Sequence, residues 1–167
     1  MPVNKAKEDK PYEDTNRDDI MSDTQSIENI IHALYETISG PAGMDRDWDR
    51  FRSLFFPGAR LVRTFLEEDG TPRALAMDAY AYQADTSGYF VRESFYEAEI
   101  ANRIERFGTI AHVLSVYESR HEPTDPVPFK RGINSIQLFN DGSRWWIISV
   151  LWDNEREGNS IPKQYLR

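Results

Sequence analysis

The segment Arg144–Trp152, RWWIISVLW, constrains this chain more than any other. Trp145, Ile147, Ser149 and Leu151 alternate with Trp146, Ile148, Val150 and Trp152, so a strand here is apolar on both faces. A sheet with one wet face alternates apolar and polar residues instead. Both faces therefore need a cover, and helices of the same chain supply one. The other is a second copy of the chain, or the large aromatics capping the sheet within a monomer.

Partners for that strand lie just upstream. Phe129–Asn140 (FKRGINSIQLFN) reads as a strand joined to it by Asn140-Asp141-Gly142-Ser143, a strong hairpin signal. Phe95–Arg106 and Thr109–Glu118 read as two more, meeting at Phe107-Gly108. Between the pairs, His121–Pro128 carries Pro123, Pro126 and Pro128, which cannot donate to a ladder, so it reads as a loop.

The first half is mostly helical. Ile27, Ile30, Ile31, Leu34, Tyr35 and Ile38 form one apolar stripe of an amphipathic helix, with Ser22 or Asp23 as its cap and Gly40-Pro41 as its end. A second helix begins at Asp45 or Asp47, buries Trp48, Phe51, Leu54 and Phe55, and stops at Pro57-Gly58. Ala59–Phe65 reads as a strand followed by an Asp69-Gly70 turn. Asp78 caps a third helix running to about Phe90. Helices first and a run of strands last argue an α+β fold.

Residues 1–23 differ from the rest. Lysines, an arginine and seven acidic residues are interleaved there with almost no large apolar side chain. Such a segment cannot offset its ordering entropy by burial, so a disordered acidic tail is expected at 1–23 and one folded domain over 24–167. The tail lacks the apolar core of a secretory leader, and cytoplasmic localisation is expected.

Charge and composition narrow the function. The 167 residues carry a net charge of -8, which disfavours binding to phosphate backbones. The chain has no cysteine, which removes disulfides, thiolate metal sites and thiol nucleophiles. No apolar run is long enough to span a membrane. The three histidines, His32, His112 and His121, show no zinc-ligand spacing, and no metal site is expected.

In its order of elements the chain resembles the nuclear transport factor 2-like superfamily, which includes the ketosteroid isomerases, scytalone dehydratases and SnoaL-type polyketide cyclases. The likeness is to its uncharacterised bacterial members. Trp48–Val62 (WDRFRSLFFPGARLV) and the terminal hairpin Arg131–Glu155 carry it, and it covers about Ile27–Glu155. It implies a cone-shaped, curved antiparallel sheet wrapped around the three N-terminal helices. It also implies a pocket at the open end and a homodimer through the outer sheet face. Activity in such a pocket would be cofactor-free proton transfer on a hydrophobic carbonyl compound: isomerisation, dehydration or cyclisation. The alternative is a non-catalytic ligand-binding or protein-interaction module of the same fold.

Candidate residues follow from the strand faces. His112 sits mid-strand on a face with Ile110, Leu114 and Val116, as a general acid/base or as a hydrogen-bonded core histidine. Tyr35, on the apolar stripe of the first helix, is placed to polarise a carbonyl, as the isomerase logic requires, or to serve as a core aromatic. Asn134 shares a face with Ile136 and Leu138, where it would orient a ligand or tie down a loop. Arg131 would grip an anion at the mouth or pair with Glu118 across the sheet. Glu118 lies roughly 20 Å along the strand from His112 and beside Arg120, where the two would bind a ligand or pair with each other. Trp146 and Trp152 line the pocket or plug it. A base is harder to place: the first strand holds no carboxylate, and the later strands offer Glu97 and Glu99 on one face.

Overall fold

The computed structural model describes Asp18 and residues 21–167. The acidic-tail expectation for residues 1–23 falls almost wholly outside them. At its end, Asp23 is buried and its carboxylate takes a bidentate pair of hydrogen bonds from Arg50, at 2.8 and 2.9 Å.

Among the described residues, 21–23 are helical and Lys163–Tyr165 form a short 3-10 turn; three longer helices form where their caps allow. Helix α1 spans Ile27–Ile38, and its cap is Ser26, whose Oγ accepts from the Asn29 amide at 3.0 Å. That lies downstream of the expected Ser22 or Asp23, because Asp23 is held by Arg50 instead. Helix α2 spans Trp48–Ser53 with Asp47 as its cap, and α3 spans Ala79–Arg92 with Asp78 as its cap. Each capping oxygen satisfies an amide that the first helical turn leaves without a partner.

Among the described residues, six strands form one sheet: β1 Phe55–Leu66, β2 Pro72–Met77, β3 Tyr96–Phe107, β4 Ile110–Arg120, β5 Lys130–Asn140 and β6 Trp145–Asn154. Their order is β2-β1-β6-β5-β4-β3. From β3 onward the chain reverses at three successive hairpins, so every pairing from β3 to β6 is antiparallel. β6 then returns beside β1 in the same direction, and that single pairing is parallel. The sheet is thus mixed at one junction, where an all-antiparallel one was expected, inside the expected α+β architecture. β2 was not foreseen. Its sequence, PRALAM, has weak strand preference, and the turn after β1 folds it back as an edge, where Pro72 needs no amide.

Curvature comes from register breaks in β1, in β3 at Ile100, and in β6 at Ile148. An extra residue bends its strand and increases the local twist. The core lies between the concave face and the helices, built from Ile30, Leu34, Phe51, Val113, Ile136 and Ile147, all at most 4% exposed. No described helix is long and apolar enough to cross a membrane.

Candidate functional site

Register decides which side chains face the helices. Ser115, Asn134 and Trp152 lie abreast on the concave face of β4, β5 and β6; Val113, Ile136 and Val150 form the next row. Glu97, Ser119 and Lys130 form a row toward the open end. Above these rows, α1 contributes Leu34, Tyr35 and Ile38, and α3 contributes Tyr82, Tyr89 and Phe90. Together they enclose a cavity of about 340 Å³, mostly apolar and aromatic in its walls. That is within the range of small-molecule sites, at its lower end.

Two polar clusters open on this cavity. In the first, the Tyr35 hydroxyl meets Ser115 Oγ at 2.7 Å and accepts from Asn134 Nδ2 at 2.9 Å. Ser115 in turn donates to the Glu99 carboxylate. An ionised carboxylate only accepts, so the Ser115 hydrogen points at Glu99 and the Tyr35 hydrogen points at Ser115. Burial, then the charge of Glu97, push the Tyr35 phenol well above its ordinary pKa.

The second cluster is Glu97. Its side chain is 8% exposed, and Oε2 accepts from Ser119 Oγ at 2.7 Å. The Lys130 ammonium stands 3.9 Å from the same oxygen, over the rings of Phe95 and Tyr117. Burial raises the Glu97 pKa; Lys130 and the Ser119 hydrogen bond oppose that only in part. Tyr82 packs flat on Phe51 and edge-on to Trp152, and feels the Glu97 charge; burial raises its phenol too. At the rim, Arg63 pairs with Asp85 at 2.8 Å.

Of the residues singled out from sequence, Tyr35, Asn134 and Trp152 meet at this cavity. Four others lie on the convex face. His112 points away from the helices, and its Nε2 meets Ser135 Oγ at 3.0 Å. Its strand partition was as expected, but the helices cover the other side. Arg131 and Glu118 are cross-strand neighbours that pair at 3.2 Å, and Arg120 pairs with Glu118 at 2.6 Å. Trp146 is held outside by Asp141, which accepts from its indole at 2.7 Å, and by the Arg144 guanidinium over its ring. The break at Ile148 separates the two tryptophans: Trp145 and Ile147 face inward, and past the break so do Val150 and Trp152.

Sequence reasoning offered Glu97 for the base only alongside Glu99, and passed over Lys130 and Tyr82. Tyr82 had a signal: it lies one helical turn from Ala79 and from Thr86 and two from Tyr89, the face that α3 turns inward. Among the described residues, no group of three His, Asp or Glu side chains is placed to hold a metal ion.

No protein-family model and no curated protein sequence matches the chain. Solved structures do. A protein of unknown function with a cystatin-like fold from Nostoc punctiforme superposes with a TM-score of 0.59 at 9% identity, over 77% of this chain and 88% of that one. A nuclear transport factor 2-like protein of unknown function from Pseudomonas putida gives 0.58 at 11% identity, over 81% and 90%. A protein of unknown function from Mycobacterium tuberculosis gives 0.59 at 14% identity, over 81% and 75%. At such identities the likeness is one of fold.

Proposed function

We propose that this chain, which has the nuclear transport factor 2-like fold, binds a hydrophobic carbonyl compound in its cavity and moves a proton on it without a cofactor. The observation that carries the reading is Glu97, a buried carboxylate with a raised pKa opening on an aromatic cavity. A base of that kind is strongest where water is excluded and no partner fully satisfies its charge.

The roles then distribute by geometry. Glu97 takes the proton. The ligand oxygen meets the Tyr82 hydroxyl, for which no protein hydrogen bond is found among the described residues, or the Lys130 ammonium. Tyr35 has its hydrogen committed to Ser115, so it bounds the ligand and does not polarise it in the resting state. Asn134 orients the ligand from β5. His112, on the convex face, has no part in this chemistry.

The test is a titration of the full chain with α-tetralone, a bicyclic ketone, followed by calorimetry and tryptophan fluorescence. Saturable heat is expected, with quenching that vanishes in Trp152→Phe while the heat persists. No saturable heat from α-tetralone or from a panel of related bicyclic ketones and alcohols would overturn the reading.

The proposal extends to the convex face, where a second copy of the chain is the expected cover. Leu151 is 44% exposed and Ile110 57% exposed there, with Leu114 and Ile133 half-buried beside them. Such an apolar surface suits an isologous contact. Native mass spectrometry is expected to give twice 19.4 kDa, and Leu151→Arg to give the single chain. A single-chain mass for the unaltered protein at micromolar concentration would remove the dimer.

A further inference from the structure

The contact between Tyr35 and Ser115 runs on to Glu99, and Glu99 belongs to a different space. A second cleft, of about 720 Å³, lies between α1 and the β3 edge of the sheet, and Glu99 lines it. Tyr35 and Glu97 line both the cleft and the aromatic cavity, so they form the wall between the two. Resting on the proton-transfer reading above, we infer that Glu99 is a second acid–base group of the cavity, exchanging protons with the ligand through Ser115 and Tyr35.

The links are continuous and dry. Ser115 is fully buried, Tyr35 is 4% exposed and Asn134 6%. Each hydrogen points the same way: Asn134 into the Tyr35 oxygen, Tyr35 into Ser115, Ser115 into Glu99. The extra residue Ile100 supports the last link. It brings Asn102 to the face of Glu99, so that one Glu99 oxygen accepts from Asn102 at 2.5 Å while the other accepts from Ser115.

The transfer balances. A ligand atom gives its proton to the Tyr35 oxygen. The old Tyr35 O–H bond breaks as a new Ser115 O–H bond forms, and the old Ser115 O–H bond breaks as one forms on Glu99. Both hydroxyls end neutral, and one negative charge has moved from Glu99 to the ligand. Run in reverse, the same steps deliver a proton. Because Tyr35 resists ionisation, the shift must be concerted and does not pass through a free phenolate. With Glu97, the site then holds two acid–base groups, which suits reactions that take a proton from one atom and give one to another.

The test needs no ligand. The full chain carrying tyrosine labelled with carbon-13 at Cζ is followed by NMR across pH 4–8, and Tyr35→Phe identifies the Tyr35 resonance. A pH-dependent step in that resonance is expected, passed on from Glu99 through Ser115. Other ionisable groups face the cleft: Glu28, His32 and Glu36 from α1, Tyr96 and Glu97 from β3, and Glu118 and Arg120 from β4. Glu97, whose charge also reaches Tyr35, is therefore replaced by Gln throughout, and Glu99→Gln in that background is expected to remove the step. Ser115→Ala is expected to remove it as well, although Glu99 is still present. Ser115→Cys, a far weaker donor, takes its place if the alanine variant does not fold, and is expected to shrink the step to less than half.

A missing step in the Glu97→Gln chain, a step that survives Glu99→Gln, or one undiminished by the Ser115 change each overturns the relay. Failure to bind ketones would remove the proposed function and leave this coupling standing. Loss of the coupling would remove the relay and leave the cavity reading.

Discussion

Glu97→Gln is expected to slow deuterium uptake at the α-carbon of cavity-bound α-tetralone by about 10²–10⁴-fold, the usual contribution of a positioned general base. Gln keeps the size of the side chain and can still accept from Ser119, so the cavity persists while the base is lost. Uptake is followed by proton NMR in D2O, with calorimetry showing that the ketone still binds. Unchanged uptake in a folded, ketone-binding variant would sink the assignment.

The same carboxyl sets two pH dependences. Its folded pKa lies above the unfolded value because burial disfavours the anion. Uptake should therefore rise with pH along a limb displaced above the ordinary carboxylic range. Stability runs the other way. Between the unfolded and folded pKa values the native state holds more protons than the unfolded chain, so stability falls as pH climbs through that window and is level above it. Glu97→Gln removes this contribution to the slope, which a series of Tm measurements from pH 4 to 8 would show.

Gly132→Ala is expected to destabilise the fold by about 3 kcal/mol, the upper part of the usual range for forcing atoms into a packed core. Gly132 lies on β5 between Tyr117 and Asn154. The Tyr117 side chain crosses directly over it to donate to Asn154 Oδ1 at 2.6 Å. A Cβ at Gly132 would sit 2.6 Å from Tyr117 Cζ and press on both the Tyr117 hydroxyl and the Asp153 carbonyl oxygen. The backbone carbonyl cannot move without breaking the β5–β6 ladder. The glycine is therefore required for space, since its φ is not positive. For a chain of this size Tm should drop by roughly 2–4 °C per kcal/mol. A drop of under about 2 °C would show that the strand yields more easily than its packing implies. Tyr117→Phe in the Gly132→Ala background should recover only part of the loss, because the contact with Asp153 remains.

Much of the fold was legible because its signals are local. The stripe Ile27–Ile38, the capping Asp47 and Asp78, and the Asp-Gly turns each act within a few residues. β2 was not legible, because PRALAM becomes a strand only through the partner that the preceding turn presents to it. The candidate site divides the same way. Asn134 was placed with Ile136 and Leu138, and those three do share the buried face of β5. His112 was grouped correctly with Ile110 and Leu114 but given to the cavity, and Trp146 was given to it as well.

The amino-acid sequence by itself determined the α+β order, the capped helices and the two sets of side chains along most strands. A period of two separates two faces and carries no sign for which of them the helices will cover. Only the tertiary packing made that choice, and it turned Glu97, Ser115 and Asn134 inward and His112 outward. One inserted residue was enough to reassign a strand: the break at Ile148 moves Val150 and Trp152 onto the face of Trp145 and Ile147. The break at Ile100 does the same in β3, moving Asn102 and Ile104 onto the face of Glu97 and Glu99. Such breaks arise where neighbouring strands must bend together around the helices, a demand made by the whole sheet and not by the residues at the break.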